Sequence, residues 1–459
     1  MSGLAHATSP PIDLRRLRDD VRGAVLTPGD AGYDEAREVF NAAADRRPAA
    51  IVRPADAEDV AAVLTHARDR GAGVAVRGGG HSFAAHGVAD GVVLLDMRSM
   101  GAVEIDPDAR VGRAQGGATA GDYTVAADAH GLATGFGDNP GVGIAGLTVG
   151  GGIGYLVREH GLTVDNLLGA EVVTPDGEIR AVDAEREPDL FWALRGGGGN
   201  FGVVTELRFR LHPIGSVYGG FLVLPLDAAI LAGFAEHAAA APEALSMIGR
   251  AVPAPPVPFI PAQHHGELVL IVALVYDGDA DAGREALAPV RALAEPIADL
   301  VRETGYATMF AEEGGPERAA VAMRTALTDA IDAEAIVEGV RTATTPFKAA
   351  EIRALGGAMA RVPADATAFA FRDSRYMVSI GAMSFGPERD VEALEASATQ
   401  RAEAAGLADR PGYVNYMGAR QPVEAAYPEA TLARLAEVKR RYDPDNVLRF
   451  NHNVAPGAA

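Results

Sequence analysis

Asn139-Pro-Gly-Val-Gly143-Ile-Ala-Gly146-Leu-Thr-Val-Gly150-Gly-Gly-Ile-Gly154-Tyr155 decides how this chain is read. Gly141-Val-Gly143-Ile-Ala-Gly146 matches the dinucleotide pattern GxGxxG letter for letter. A Rossmann turn follows directly on a buried strand, whereas Gly135-Phe-Gly-Asp-Asn-Pro140, the segment before it, is loop sequence. Ten of the 24 residues from Gly131 to Gly154 are glycine, so a chance match is the simpler account. The glycines carry a different physical message. Backbone comes close to a bulky anionic ligand only where Cβ is absent, and successive free N–H groups then bind phosphate without lysine. Val142, Ile144, Leu147, Val149, Ile153 and Leu156, interleaved with the glycines, argue for packed structure over a merely flexible loop.

Upstream of this stretch the pattern is strand, helix, strand: Ala50 to Val52, then Asp56 to Arg70 with Val60, Val63, Leu64 and Ala67 at helical spacing, then Val74 to Val76. A second glycine cluster, Arg77-Gly-Gly-Gly80-His81-Ser82, comes next, followed by a strand at Val92 to Asp96. Val103 to Ala114 reads as a strand pair turning at Asp106-Pro-Asp108, and Thr119 to His130 as a helix ended by Gly131. Downstream, Val164 to Arg210 alternates short apolar strands with turns, and Gly196 to Gly199 with Gly202 form a third cluster. From about Ser216 long Ala-rich runs (Leu226 to Ala241, Asp281 to Leu300, Arg318 to Thr344) read as helices. Isolated strands lie between and after them (Leu268 to Val275, Phe347 to Leu355, Ala368 to Phe371, Met377 to Ala382), and a final helix covers Leu432 to Asn446.

Composition narrows the chemistry. The 459 residues include 54 glycines, about 12% against a usual 7% or so, and no cysteine. Disulfides, Cys-ligated metals, thiolate nucleophiles and cysteinyl cofactor bonds are thereby excluded. With 41 Lys plus Arg against 62 Asp plus Glu, the net charge of −21 opposes general affinity for nucleic acid or an anionic membrane. Met1 to Pro11 lacks the basic start and apolar run of a secretory signal, and no apolar stretch is long enough to span a bilayer, so the expected location is cytoplasmic. His81 and His86 are five apart with no third ligand in pattern, and no HExxH, P-loop or nucleophile-elbow motif with supporting context occurs, so no metal is expected.

Val76 to Ser82, the stretch Asn139 to Tyr155, His160-Gly-Leu-Thr-Val-Asp165-Asn166, Asp189 to Thr205, Tyr413-Val-Asn415-Tyr416 and the tail from Tyr442 to Asn453 together resemble the berberine-bridge-enzyme-like flavoproteins of the vanillyl-alcohol-oxidase superfamily. The resemblance runs in order along nearly the whole chain and is weakest between 216 and 410. It implies an α+β protein with a two-part PCMH-type FAD-binding domain over 1–215 (core from about 45). A substrate domain over 216–410, an antiparallel sheet flanked by helices, would follow, and 411–459 would return to the FAD domain.

The resemblance further implies FAD bound covalently through the ring of His81 to the flavin 8α-methyl. Members that add a second bond use a cysteine where Asn139 stands, so this chain resembles the singly linked branch. By the same resemblance the cofactor would contact Arg77, Gly78, Gly79, Gly80, His81, Ser82, His86, Asn139, Pro140, Gly143, Gly146, Leu147, Gly150, Gly151, Gly152, Gly154 and Tyr155. Further along, the expected contacts are Gly161, Leu162, Asn166, Gly202, Val203, Val204, Asn415, Asn451 and Asn453.

The implied reaction is two-electron oxidation of a small organic substrate (alcohol, sugar, hydroxylated ring or amine) with O2 as acceptor and hydrogen peroxide as product. A flavin dehydrogenase of the same fold and a non-catalytic flavin-binding protein are the alternatives. Tyr413 matches the tyrosine that acts as base in oligosaccharide-oxidising relatives, and Asn415, two residues on, would share its face of a strand. Glu351 and Arg353 share a face of a strand by alternation and resemble the pair facing the flavin. The nicotine-oxidising branch carries the opposite charge order there, which argues against amine oxidation of that type. Arg372 and Tyr376 are weaker candidates. Partners other than substrate and O2 are not expected, and the chain would be a monomer or homodimer.

Overall fold

Ala50–Arg53, Val74–Arg77 and Val93–Asp96 are short aliphatic runs almost wholly buried, the pattern of strands covered on both faces, and they pair in parallel. The computed structural model describes residues 13–310, 318–385 and 389–457; the opening stretch read for a targeting signal lies outside them. Val93–Asp96 sits between the other two strands, and Ala24–Leu26 adds an antiparallel edge. Helix Ala57–Asp69 starts where the Asp56 carboxylate accepts from the Asp59 N–H. It contacts both this sheet and an antiparallel five-stranded one, ordered Val103–Asp106, Val111–Gln115, Val203–Arg210, Leu167–Val173, Ile179–Val182. Val173 and Val203 of the second sheet join the apolar core of the first.

An eight-stranded antiparallel sheet holds the middle of the chain. Along it run Ala298–Asp299, Ser216–Pro225, Leu268–Asp277, Leu245–Pro253, Phe347–Ala354, Tyr376–Phe385 and Ala319–Thr328, with Arg302–Gly305 also paired to Ser216–Pro225. Helices Ala228–Ala240, Ala280–Arg291 and Ala333–Thr342 bury Leu231, Phe234, Leu287, Ile336 and Val340 against one face. On the opposite face Leu327, Leu355 and Met377 pack with Ile153, Val157, Leu162 and Val164, from the end of the glycine-rich stretch and the residues that follow it. From there 411–457 runs back to the first sheets, where Val74 N–H donates to Val447 O. Among the described residues no helix is long and apolar enough to cross a membrane.

Strands Ser216–Pro225 and Leu245–Pro253 and helix Val391–Ala404 have no counterpart in the sequence reading, and the structure departs from it in further places. Arg318 to Thr344 is half strand: Ala319–Thr328, then helix Ala333–Thr342. That strand is buried on both faces, so it lacks the alternation that marks a half-exposed strand, and alanine imitates helix. The run from Asp281 stops at Arg291, and Glu295-Pro296 leads into an edge strand. Ala368 to Phe371 forms no strand. Tyr413 to Tyr416 is a turn closed by Tyr416 N–H on Tyr413 O, so Asn415 meets Tyr413 through turn geometry rather than strand alternation.

Candidate functional site

Strand Val74–Arg77 delivers the first glycine cluster. Arg77, expected to touch the cofactor, is buried behind the loop on Asp96 (2.7 Å) and on the Glu38 carbonyl (2.9 Å), and so anchors it. Two glycine loops cross at Gly79 and Gly143. A Cβ on Gly79 would stand 2.3 Å from Gly143 N, and one on Gly143 would stand 2.2 Å from Gly79 N. Only glycine permits that approach. The main-chain N–H groups of Gly78, Gly79, Gly80, His81 and Ser82 donate to no described residue.

His81 lies flat on Phe40, ring centroids 5.2 Å apart at 15°. Burial lowers its pKa, so the imidazole is neutral at neutral pH. Its Nε2 is 3.1 Å, and Asn139 Oδ1 3.5 Å, from the point where a Gly141 Cβ would be. The two positions that the resemblance relates to flavin attachment therefore meet at one spot.

The remaining glycines divide. Gly146 is exposed and open, whereas Gly150 lies against Asn415, Gly154 against the Phe136 carbonyl and Gly202 against Val172. Gly151 and Gly152 take positive φ, and the Gly152 N–H donates to the Tyr413 hydroxyl at 2.8 Å. Pro140 abuts Gly121, and the Leu147 carbonyl accepts from Asn415 Nδ2. Tyr155, Leu162, Val203 and Val204 are buried in the core, and Gly161 turns at φ +80 against Asp165. Asn166 is engaged within the protein, bonding the His160 and Leu162 carbonyls and His212. Ser82 Oγ accepts from His86 N–H, and the His86 ring stands edge-on to His452 at 4.6 Å; burial holds the two at about 3 and about 4. On either side of His452, Asn451 Oδ1 and Asn453 Oδ1 are buried without a hydrogen-bond partner. A run of unused N–H donors at one end and unmatched acceptors beside it fit an elongated cofactor with an anionic middle and N–H-bearing rings, as FAD has.

Starting at Asp138, next to Asn139, four charges from distant segments close into a ring. Arg353 Nε donates to Glu351 Oε1 (2.7 Å) and Nη2 to Asp138 Oδ1 (2.9 Å); Arg250 Nε donates to Glu351 Oε2 (2.8 Å) and its Nη2 pairs with Asp138. Glu351 and Arg353 do share one face, as alternation required. Burial alone would lower the Arg353 pKa, but Asp138 and Glu351 raise it well above the usual value. Arg353 Nη2 also donates to the Tyr416 hydroxyl at 2.6 Å. Tyr416 in turn packs on Phe83 (5.1 Å), Phe83 on Phe40 (6.0 Å) and Phe40 on His81, so one aromatic run joins the histidine to the charged ring. Burial raises the Tyr416 phenol well above its usual value, and the Arg353 charge offsets only part of this.

Tyr413 points elsewhere. Its hydroxyl accepts from Gly152 N–H and from Asn415 Nδ2 (2.8 Å each), it is 2% exposed, and burial pushes it up to about 12. Arg372 clamps Asp165 (2.7 and 2.9 Å) and Tyr376 donates to the Ala235 carbonyl, both away from the ring. Sequence reasoning did not single out Asp138, Arg250 or a role for Tyr416. Tyr416 stood in a quoted motif and Asp138 beside Asn139, whereas Arg250 had no signal.

Comparison with known proteins matches residues 48–183 to an FAD binding domain and 412–455 to a family described as berberine and berberine like. (R)-6-hydroxynicotine oxidase of Paenarthrobacter nicotinovorans is 29% identical over 454 residues, 95% of this chain and 97% of that protein. The crystal structure of 6-hydroxy-D-nicotine oxidase from Arthrobacter nicotinovorans superposes with a TM-score of 0.85 at 27% identity, covering 95% and 98% of the two chains. Glucooligosaccharide oxidase from Acremonium strictum, whose flavin is described as 6-S-cysteinyl, 8α-N1-histidyl FAD, superposes at 0.83 with 25% identity over 97% of this chain.

Proposed function

We propose that the chain is a berberine-bridge-enzyme-like FAD-linked oxidoreductase, an oxidase whose FAD is tethered by a single bond to His81 and whose substrate is a neutral alcohol, sugar, hydroxylated ring or amine. The observation that carries this reading is the Tyr416 hydroxyl, 2.6 Å from Arg353 at the far end of the aromatic run that begins at His81.

Bound FAD would supply a two-electron acceptor: substrate C–H is lost as hydride, and O2 then takes two electrons and two protons to become hydrogen peroxide. His81 is suited to the tether because its imidazole is neutral and no described residue hydrogen-bonds its ring. Asn139 beside it offers no thiol, which supports a single link. The free N–H groups from Gly78 to Ser82 and the loop from Pro140 to Leu147 would hold the diphosphate, and Asn451 and Asn453 would accept from ring N–H groups.

Tyr416 serves as the base. A phenolate at that oxygen is stabilised by a guanidinium that cannot be deprotonated, and it takes the substrate O–H or N–H proton. Tyr413, the base expected from the resemblance, is instead a positioning residue, because its oxygen already accepts two hydrogen bonds in a closed environment. The ring of two arginines and two carboxylates is neutral, and Arg353 is matched on every side, so no free cation awaits a substrate carboxylate. That favours neutral substrates over acids.

A screen of alcohols, sugars, phenols and amines that follows peroxide release tests the reading. Turnover with peroxide on a neutral substrate is the expected result. Rapid dye reduction with slow reoxidation in air would assign a dehydrogenase instead, and no flavin reduction by any class would leave a binding protein.

A further inference from the structure

Outside the site, Glu159, His160 and Asp277 each bring one ligand atom to a common point, all within 4.8 Å of one another. The first two come from the short helix Val157–His160, just beyond the glycine-rich stretch; Asp277 ends strand Leu268–Asp277 of the eight-stranded sheet. We propose that these three side chains bind a divalent transition ion, Zn2+ by ligand type, that clips the glycine-rich segment to the eight-stranded sheet.

Neither carboxylate has an ion-pair partner among the described residues, and Glu159 Oε2 is buried without a hydrogen bond. The neighbouring Arg158 does not serve them, since its guanidinium is engaged with the carbonyls of Leu355, Ala239 and Ala241. Glu243 nearby is paired to Arg361.

His160 is held in place for ligation. Its ring stacks on His212 at 3.9 Å and 7°, and His212 Nε2 bonds Asn166 Oδ1 at 2.6 Å, which fixes the stack from behind. Zn2+ bonds to N and O of about 2.0–2.2 Å put ligand atoms roughly 3.4 Å apart, a spacing reached from this arrangement by side-chain rotation. One imidazole and two carboxylates plus solvent is a zinc-type donor set.

The test uses the untagged flavoprotein, stripped with chelator and titrated with ZnCl2 alone, with bound metal counted by mass spectrometry and Tm followed in parallel. One Zn2+ per chain with a higher Tm is expected, with uptake at least about tenfold weaker in Glu159→Gln and in Asp277→Asn and unchanged in Glu243→Gln. No uptake, or uptake that the first two variants leave intact, overturns the proposal. So does a wild type that takes no metal while Asp277→Asn raises Tm, because the carboxylates then share a proton. Should a variant fail to fold, Co2+ loading of the unaltered chain decides. A visible ligand-field band that appears on Co2+ loading and is displaced by one equivalent of Zn2+, with one imidazole in the X-ray absorption fit, supports the site, and a flavin spectrum that Co2+ leaves unchanged sinks it.

Discussion

Tyr416 Oη and Arg353 Nη2 are 2.6 Å apart, and the same guanidinium nitrogen reaches Asp138 at 2.9 Å. The phenol therefore shares a cation with a carboxylate. Tyr416→Phe is expected to slow anaerobic flavin reduction by about 100-fold or more while substrate binding changes little. Tyr413→Phe should cost less, since that hydroxyl only accepts hydrogen bonds from Gly152 and Asn415. The pH profile adds a sign. Burial holds the Tyr416 phenol well above its ordinary value and the Arg353 charge offsets only part of this, so reduction should speed up as pH rises into the alkaline range, and Arg353→Met should move that rise to still higher pH. Stopped-flow reduction across pH measures both, and a larger loss in Tyr413→Phe would return the base to Tyr413.

His81→Ala should leave a folded protein, because the ring lies flat on Phe40 and makes no side-chain hydrogen bond to a described residue. Its flavin should leave on acid precipitation, giving a yellow supernatant over a white pellet. A yellow pellet would place the tether elsewhere.

Gly79→Ala puts a methyl 2.3 Å from Gly143 N, and the contact is backbone on backbone, which cannot rotate aside. A loss of about 1–3 kcal/mol or more is expected, together with low flavin content in the purified protein. The urea midpoint and the ratio of flavin to protein absorbance report the two effects separately. Gly215→Ala is the control, since nothing lies within 4 Å of that Cβ and the residue lies outside both glycine loops.

Asp96 is fully buried, which by itself would raise its pKa; hydrogen bonds from Arg98 and the charge and bonds of Arg77 outweigh this and hold it at about 2. A folded value below the unfolded one of about 3.9 gives stability that is complete above about pH 5 and lost as pH falls through about 2, roughly 2–3 kcal/mol in all. Asp96→Asn should flatten stability against pH in that window. At pH 7 it should cost about 3–5 kcal/mol, because Arg77 is left buried and unmatched. Chemical denaturation at stepped pH checks both.

The first half of the fold was legible because its strands are aliphatic runs cut by Gly, Pro and Asp, and its helix has a cap and a clear period. Ala319–Thr328 was not, because alanine reports helix propensity while burial on both faces, a tertiary fact, makes it strand. The glycine loops and His81 could be read from local motif. Asp138, Arg250 and Glu351 come together only through the pairing of Leu245–Pro253 with Phe347–Ala354, where Arg250 stands opposite Glu351, and no local pattern encodes that register. Tyr413 and Tyr416 were separable only by where each hydroxyl points.

The ring of Asp138, Arg250, Glu351 and Arg353 also governs how this site changes over generations. Each member is matched to two others, so replacing any one strands a buried charge. A single replacement here is therefore expected to cost folding, and a compensated pair to cost less. Libraries that vary Arg353 with Glu351, or Arg250 with Asp138, therefore reach folded enzymes that scanning one position at a time never samples.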